Sequence, residues 1–210
     1  MKKIITLSLA VLLLCCCLAG CGGSNVDLSG RWESVFYYDS DSVLAELEAL
    51  EFYEEEIALL DPSTMGIQEV LLLNEDMTYT ITCDAEKSMA LVEEYYRNVF
   101  AAFYENREQL QELYGEDFVS MTEDEFNQYY AQLYGAASFD VLIDMIVGEE
   151  ADYAYLEEDP EVGTYRISLN RIYFTIDGTS EEEYVSFRTG EDGSLTLEYT
   201  DSTVVYTKAE

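Results

Sequence analysis

"GTYRISLNRIYFT", Gly163 to Thr175, decides the fold. Tyr165, Ile167 and Leu169 alternate with Thr164, Arg166 and Ser168, and Ile172, Phe174 and Ile176 resume the period after Asn170. A period of two belongs to a strand with one face buried and the other in water. The pattern returns at Val185 and Phe187, at Leu195, Leu197 and Tyr199, and at Val204 and Tyr206. Asp177-Gly178, Asp192-Gly193 and Asp201-Ser202 supply the intervening turns. Five short strands after Pro160, each apolar on one face, predict an antiparallel meander that closes or curls on itself.

Upstream, "IQEVLLL" and "MTYTITC" flank Asn74-Glu75-Asp76 and read as a hairpin. Trp32, Ser34, Phe36 and Tyr38 alternate with Arg31, Glu33, Val35 and Tyr37 and predict a first strand. One helix follows it, capped by Asp41 or Ser42 and running through Leu60, with Val43, Leu47, Leu50 and Ile57 on one face; Asp61-Pro62 ends it. From Glu86 to about Val147 the period changes. Val92, Tyr96, Val99, Phe103, Leu110 and Leu113 recur at helical spacing up to Gly115. Thr122 and Glu125 form a capping box before Phe126, Tyr129, Tyr130 and Leu133, and Gly135 closes that helix. Ser138 begins a third through Leu142 and Ile146. The expectation is a helical insertion at about 86–147, whose stripes pack mainly on one another as a small lobe in partial contact with the barrel mouth.

The chain opens on Lys2 and Lys3, an apolar run from Ile4 to Leu18, and small residues, the layout of a secretory signal. The run is shorter than the ~20 apolar residues of a membrane span. Leu18-Ala19-Gly20-Cys21 resembles the lipobox of bacterial lipoproteins, which implies a signal peptide over 1–20 and a lipid (palmitate-type acylation) on Cys21. Gly22, Gly23, Ser24 and Asn25 lie in a flexible tether, 21–27. Cys15, Cys16 and Cys17 go with the discarded peptide, so the mature chain keeps Cys83 alone and has no internal disulfide. On the apolar face of its strand, Cys83 reads as an inert thiol, since no histidine exists to activate it.

Gly30 and Trp32 in "SGRW" resemble the G-x-W of lipocalins. The order "SGRWES", "LNEDMTYTI", "GTYRISLNRIYFT" and a terminal meander with acidic turns is similar to the lipocalin-like domains of small bacterial lipoproteins. The resemblance implies one domain over 28–210, an antiparallel lipocalin-like barrel or strongly curved sheet, mainly β with the α insertion. It also implies that Trp32 sits at the closed end, covered by a basic side chain, for which Lys208 and Arg188 both qualify.

Composition sets limits. Forty-four acidic residues stand against ten basic ones, a net charge of −34, with 49% hydrophobic residues and no histidine. Such a surface repels nucleic acid and anionic lipid headgroups, so the lipid anchor, not a basic patch, holds the chain at the membrane. The hydrophobic content can bury a core. Without histidine, Ser-His-Asp and Cys-His catalysis and imidazole metal sites have no material.

The acidic runs Glu54-Glu55-Glu56, Glu149-Glu150, Glu157-Glu158-Asp159 and Glu181-Glu182-Glu183 lack the alternate ligand spacing and turn glycine of a calcium loop and read as solvated surface. A carboxylate-pair hydrolase needs two placed acids, and none stands out by context. Among the 18 tyrosines, those on strand faces read as core, whereas Tyr95, Tyr104 and Tyr130 flank helical stripes. These readings assign no catalytic, cofactor or metal residues. They predict a monomeric, non-enzymatic, extracytoplasmic binding or envelope lipoprotein whose barrel holds a small apolar ligand; the alternative is a structural or protein-interaction module with a solid barrel and a protein partner. Phe36, Tyr165, Phe174, Phe187 and Tyr206, read as inward-pointing, favour the filled form.

Overall fold

The computed structural model describes residues 26–148, 153, 157, 160–200 and 202–209. The lipobox, Cys21, Gly22 to Asn25, Glu149-Glu150, Glu158-Asp159 and Asp201 lie outside the described residues. Eight strands form a closed antiparallel barrel in chain order: β1 Gly30–Tyr37, β2 Gly66–Leu73, β3 Thr78–Cys83, β4 Glu161–Ser168, β5 Arg171–Ile176, β6 Glu182–Thr189, β7 Leu195–Glu198 and β8 Thr203–Lys208. The architecture is that of a lipocalin-like barrel with helical insertions. β1 closes onto β8 through Trp32 opposite Lys208 and Glu33 opposite Thr207. Gly163 permits the close approach of β4 to its neighbour β5: a Cβ there would lie 2.1 Å from the Thr175 carbonyl oxygen and 2.8 Å from Tyr79 Cε1.

Up-and-down order fixes which connection leaves from which end. The β1–β2 and β3–β4 connections, which carry all the described helices, leave from one end of the barrel with the two short turns after β5 and β7. The other end holds the β2–β3, β4–β5 and β6–β7 turns, the chain entering at Val26 and the chain leaving after Lys208.

The first connection holds α1 Ser40–Ala49, α2 Glu54–Ile57 and a 3-10 turn at Pro62–Thr64. The single helix expected through Leu60 is therefore broken. Glu51 takes a left-handed conformation, φ 63°, and turns the chain so that Phe52 enters the core. Glycine usually marks such a stop, and its absence hid this one. The cap is Asp39, whose carboxylate accepts from the Ser42 N–H, and not Asp41 or Ser42.

The second connection holds α3 Ala85–Glu105, α4 Gln111–Tyr114, α5 Glu116–Val119, α6 Glu123–Leu133 and α7 Phe139–Val147. Thr122 and Glu125 make the expected capping box, Ser138 caps α7, and Gly115 turns the chain at φ 90°. Leu113 and Leu133 leave their stripes and are exposed.

Two separate cores result. One lies inside the barrel: Trp32, Leu71, Tyr79, Tyr165, Phe187 and Tyr206 are buried together with the aliphatic side chains between them. The other joins Val43, Leu47, Phe52 and Met65 from the first connection to the stripes of α3, α6 and α7. The stripe Val92, Tyr96, Phe103 and Leu110 thus packs within a helical lobe, to which α1 and its neighbours also contribute. The outer face of β2 carries this lobe through α3: Ser88 Oγ accepts from the Gln68 N–H at 3.0 Å.

Some expected inward residues are not inward. Phe36 is 51% exposed: β1 pairs with β8 only at Trp32 and Glu33, so Phe36 lies past that paired stretch, and its ring meets Tyr38 edge-on. Leu169 is 87% exposed at φ 57°, as the turn residue between β4 and β5. Tyr199 lies beyond β7, and Ile176 is also exposed.

Candidate functional site

Trp32 lies 3% exposed among the barrel side chains, and its indole N–H donates to the Leu28 carbonyl at 2.8 Å. Lys208 Nζ sits 5.3 Å from the centre of the indole ring, at the range of a cation–π contact. Gly30, at φ 134°, leaves room for that lysine: a Cβ there would lie 2.7 Å from Lys208 Cε. Closure of β1 on β8 therefore brings Gly30, Trp32 and Lys208 together. Arg188 stays on β6, 3.5 Å from Glu198, and does not cover the ring. This end of the barrel is a plug.

The opposite mouth is polar. Glu69 on β2 and Glu161 on β4 each accept a phenol, Tyr206 donating to Glu69 and Tyr79 to Glu161 at 2.8 Å. Burial raises the Glu69 carboxyl above its ordinary value, the Tyr206 hydrogen bond opposes that, and Glu161 adds to it. Tyr79 and Tyr206 are both pushed up, chiefly by burial, and Tyr199 is pushed up to about 12 for the same reason. Cys83, half-buried opposite Glu69, is raised first by burial and then by Glu69 and Glu157, so it stays a thiol.

The helical lobe repeats this chemistry. Glu56, 1% exposed, accepts from Tyr114 at 2.8 Å, from Tyr130, and from the Tyr53 N–H at 2.8 Å. Tyr96 donates to Glu46 at 2.6 Å. Five phenols thus hold four carboxylates, which accounts for part of the tyrosine excess. In a chain so poor in lysine and arginine, the phenol O–H serves as the partner of a carboxylate, buried at Glu56, half-buried at Glu69 and exposed at Glu46 and Glu161. Glu56 corrects the reading of Glu54-Glu55-Glu56 as solvated surface, since folding α2 against α6 turns the third acid inward. Tyr95 and Tyr130 are core residues, while Tyr104 is partly buried with Arg107 over its ring. Burial pushes Tyr95 up to about 12, and its hydroxyl has no partner among the described residues.

A cleft of about 400 Å³ lies in the lobe, between α1, α3, α7 and the end of β1. Tyr38, Glu46, Val43, Val92, Ile146 and Tyr153 line it. The sequence pattern gave no sign of it, because its walls come from distant segments. Among the described residues, no group of three or more acidic or cysteine side chains is placed to hold a metal ion, and no helix is long and apolar enough to cross a membrane.

Fold and site together define a small lipocalin-like barrel with an apolar core of its own and an acidic helical lobe packed against the outer face of β2. Compared with known proteins, the chain matches no family model, no curated protein and no solved structure.

Proposed function

We propose that this chain is a lipid-anchored, extracytoplasmic, non-enzymatic binding protein in which a solid barrel serves as a pedestal for the helical lobe. One observation carries the reading: the chain enters the barrel at the Trp32 end, and every described helix leaves from the opposite end. With Cys21 acylated, the tether 21–27 spans at most about 25 Å fully extended. The plugged end then faces the lipid and the lobe faces away from it. Leu169, 87% exposed, lies on the lipid-facing end, where an apolar tip suits the interface. The packed barrel interior favours a solid scaffold over a ligand-filled cup. Buried Glu56 and half-buried Glu69 are engaged by phenols rather than left facing a substrate, which favours binding over hydrolysis.

The test has two parts. Mass spectrometry of the mature N-terminus should find acylated Cys21, and Cys21→Ser should remove the acyl chains; an unmodified, differently cleaved native terminus refutes the anchor. In vesicles bearing a headgroup quencher, a fluorophore introduced at Leu169→Trp should be quenched far more than one at Leu133→Trp on α6. Equal quenching refutes the orientation.

A further inference from the structure

The lobe cleft lies between the two acid-rich connections of the chain. The two connections, 38–65 and 84–160, hold 29 of the 44 acidic residues and only 3 of the 10 basic ones; the first holds no basic residue. The cleft opens among these segments, and none of its lining residues is basic. Its floor is aliphatic, with Val43 and Val92 buried and Ile146 half-buried. Two tyrosines, Tyr38 and Tyr153, and one carboxylate, Glu46, stand in its walls. The Tyr96 hydrogen bond goes to Glu46 Oε1 and holds that side chain in place. Its volume of about 400 Å³ lies within the ordinary range for small-molecule pockets, about 300–1,000 Å³.

We infer that this cleft binds an organic cation: an amine with an apolar body, the ammonium paired with Glu46 and the body set against Val43, Val92 and the tyrosines. A carboxylate supplies the counter-charge, and aromatic walls attract a cation through their negative faces. The surrounding acidic segments raise the local cation concentration and exclude anions of the same shape. A neutral ligand gains only the apolar contacts, and a bare ammonium only the charge. The ligand class deepens the binding role proposed above but does not depend on the lipid anchor, so this titration and the N-terminal mass spectrum fail separately.

Benzylamine is titrated against the full chain in phosphatidylcholine nanodiscs, with benzyl alcohol as the neutral isostere, methylammonium as the bare charge and empty nanodiscs as the blank. Benzylamine should bind about tenfold or more tightly than either control. Glu46→Gln should abolish the preference over benzyl alcohol. Glu46 is exposed and glutamine still accepts from Tyr96, so this variant should fold, with Trp32 emission unchanged as the check. Ile146→Trp, which fills the cleft from a half-buried position, should abolish benzylamine binding while the helix signal persists. Equal affinity for amine and alcohol overturns the inference. So does equal affinity for benzylamine and methylammonium, or a preference that survives Glu46→Gln or Ile146→Trp.

Discussion

Replacing Glu56 tests whether phenol–carboxylate pairing holds the lobe together. In Glu56→Ala, Tyr130, itself 0% exposed, and Tyr114 each lose their acceptor. A buried donor left unpaired costs about 1–3 kcal/mol. The Tyr53 N–H at the start of α2 loses its cap as well, worth about 1 kcal/mol. The expected loss is therefore about 3–7 kcal/mol, a large share of the stability of an ordinary domain. Glu56→Gln keeps one accepting oxygen for the phenols but sets an amide donor against the Tyr53 N–H, so its loss should be nearer 1–2 kcal/mol, as a rough figure. Because lobe and barrel have separate cores, urea titrations should read both. The far-ultraviolet helix signal should fall at lower urea in the alanine variant, whereas emission of the single tryptophan, Trp32 in the barrel, should shift much less. An alanine variant within about 1 kcal/mol of the parent refutes the account, and so does one whose helix and Trp32 transitions move equally.

Trp32→Ala should cost about 3–5 kcal/mol, as a buried aromatic truncation, and should shift the barrel transition as read by tyrosine near-ultraviolet dichroism; a loss under about 1 kcal/mol refutes the plug. Glu69 has a folded carboxyl raised above its unfolded value, so the folded state binds its proton more tightly and stability declines as pH rises from the ordinary glutamate range through that raised value. Glu69→Gln should flatten this decline and be more stable than the parent at neutral pH; an unchanged urea midpoint-against-pH slope refutes it. Deleting 86–147 behind a short Gly/Ser link should leave the barrel closed but uncover Val43, Leu47, Phe52 and Met65. The product should therefore retain β-sheet dichroism and self-associate in light scattering. A monodisperse product refutes the shared lobe core.

Local chemistry determined much of this protein directly. Alternation at Tyr165, Ile167, Ile172 and Phe174, the turns at Asp177-Gly178 and Asp192-Gly193, and the Thr122–Glu125 capping box each act within a few residues, so the sequence alone specified the strands, the meander and the ends of α6 and α7. Tertiary structure decided whatever depends on segments far apart in the chain. Closing β1 on β8 selected Lys208 over Arg188 for Trp32 and left Phe36 past the stretch that pairs with β8, exposed. The turn at Glu51 carries no glycine, because the gain from burying Phe52 outweighs the modest cost of a left-handed glutamate. Glu56 reads as one more surface acid until α6 brings Tyr130 to it across 74 positions, as β8 brings Tyr206 to Glu69 across 137. A carboxylate's burial depends on which donor reaches it, and in this chain those donors are phenols supplied from distant elements.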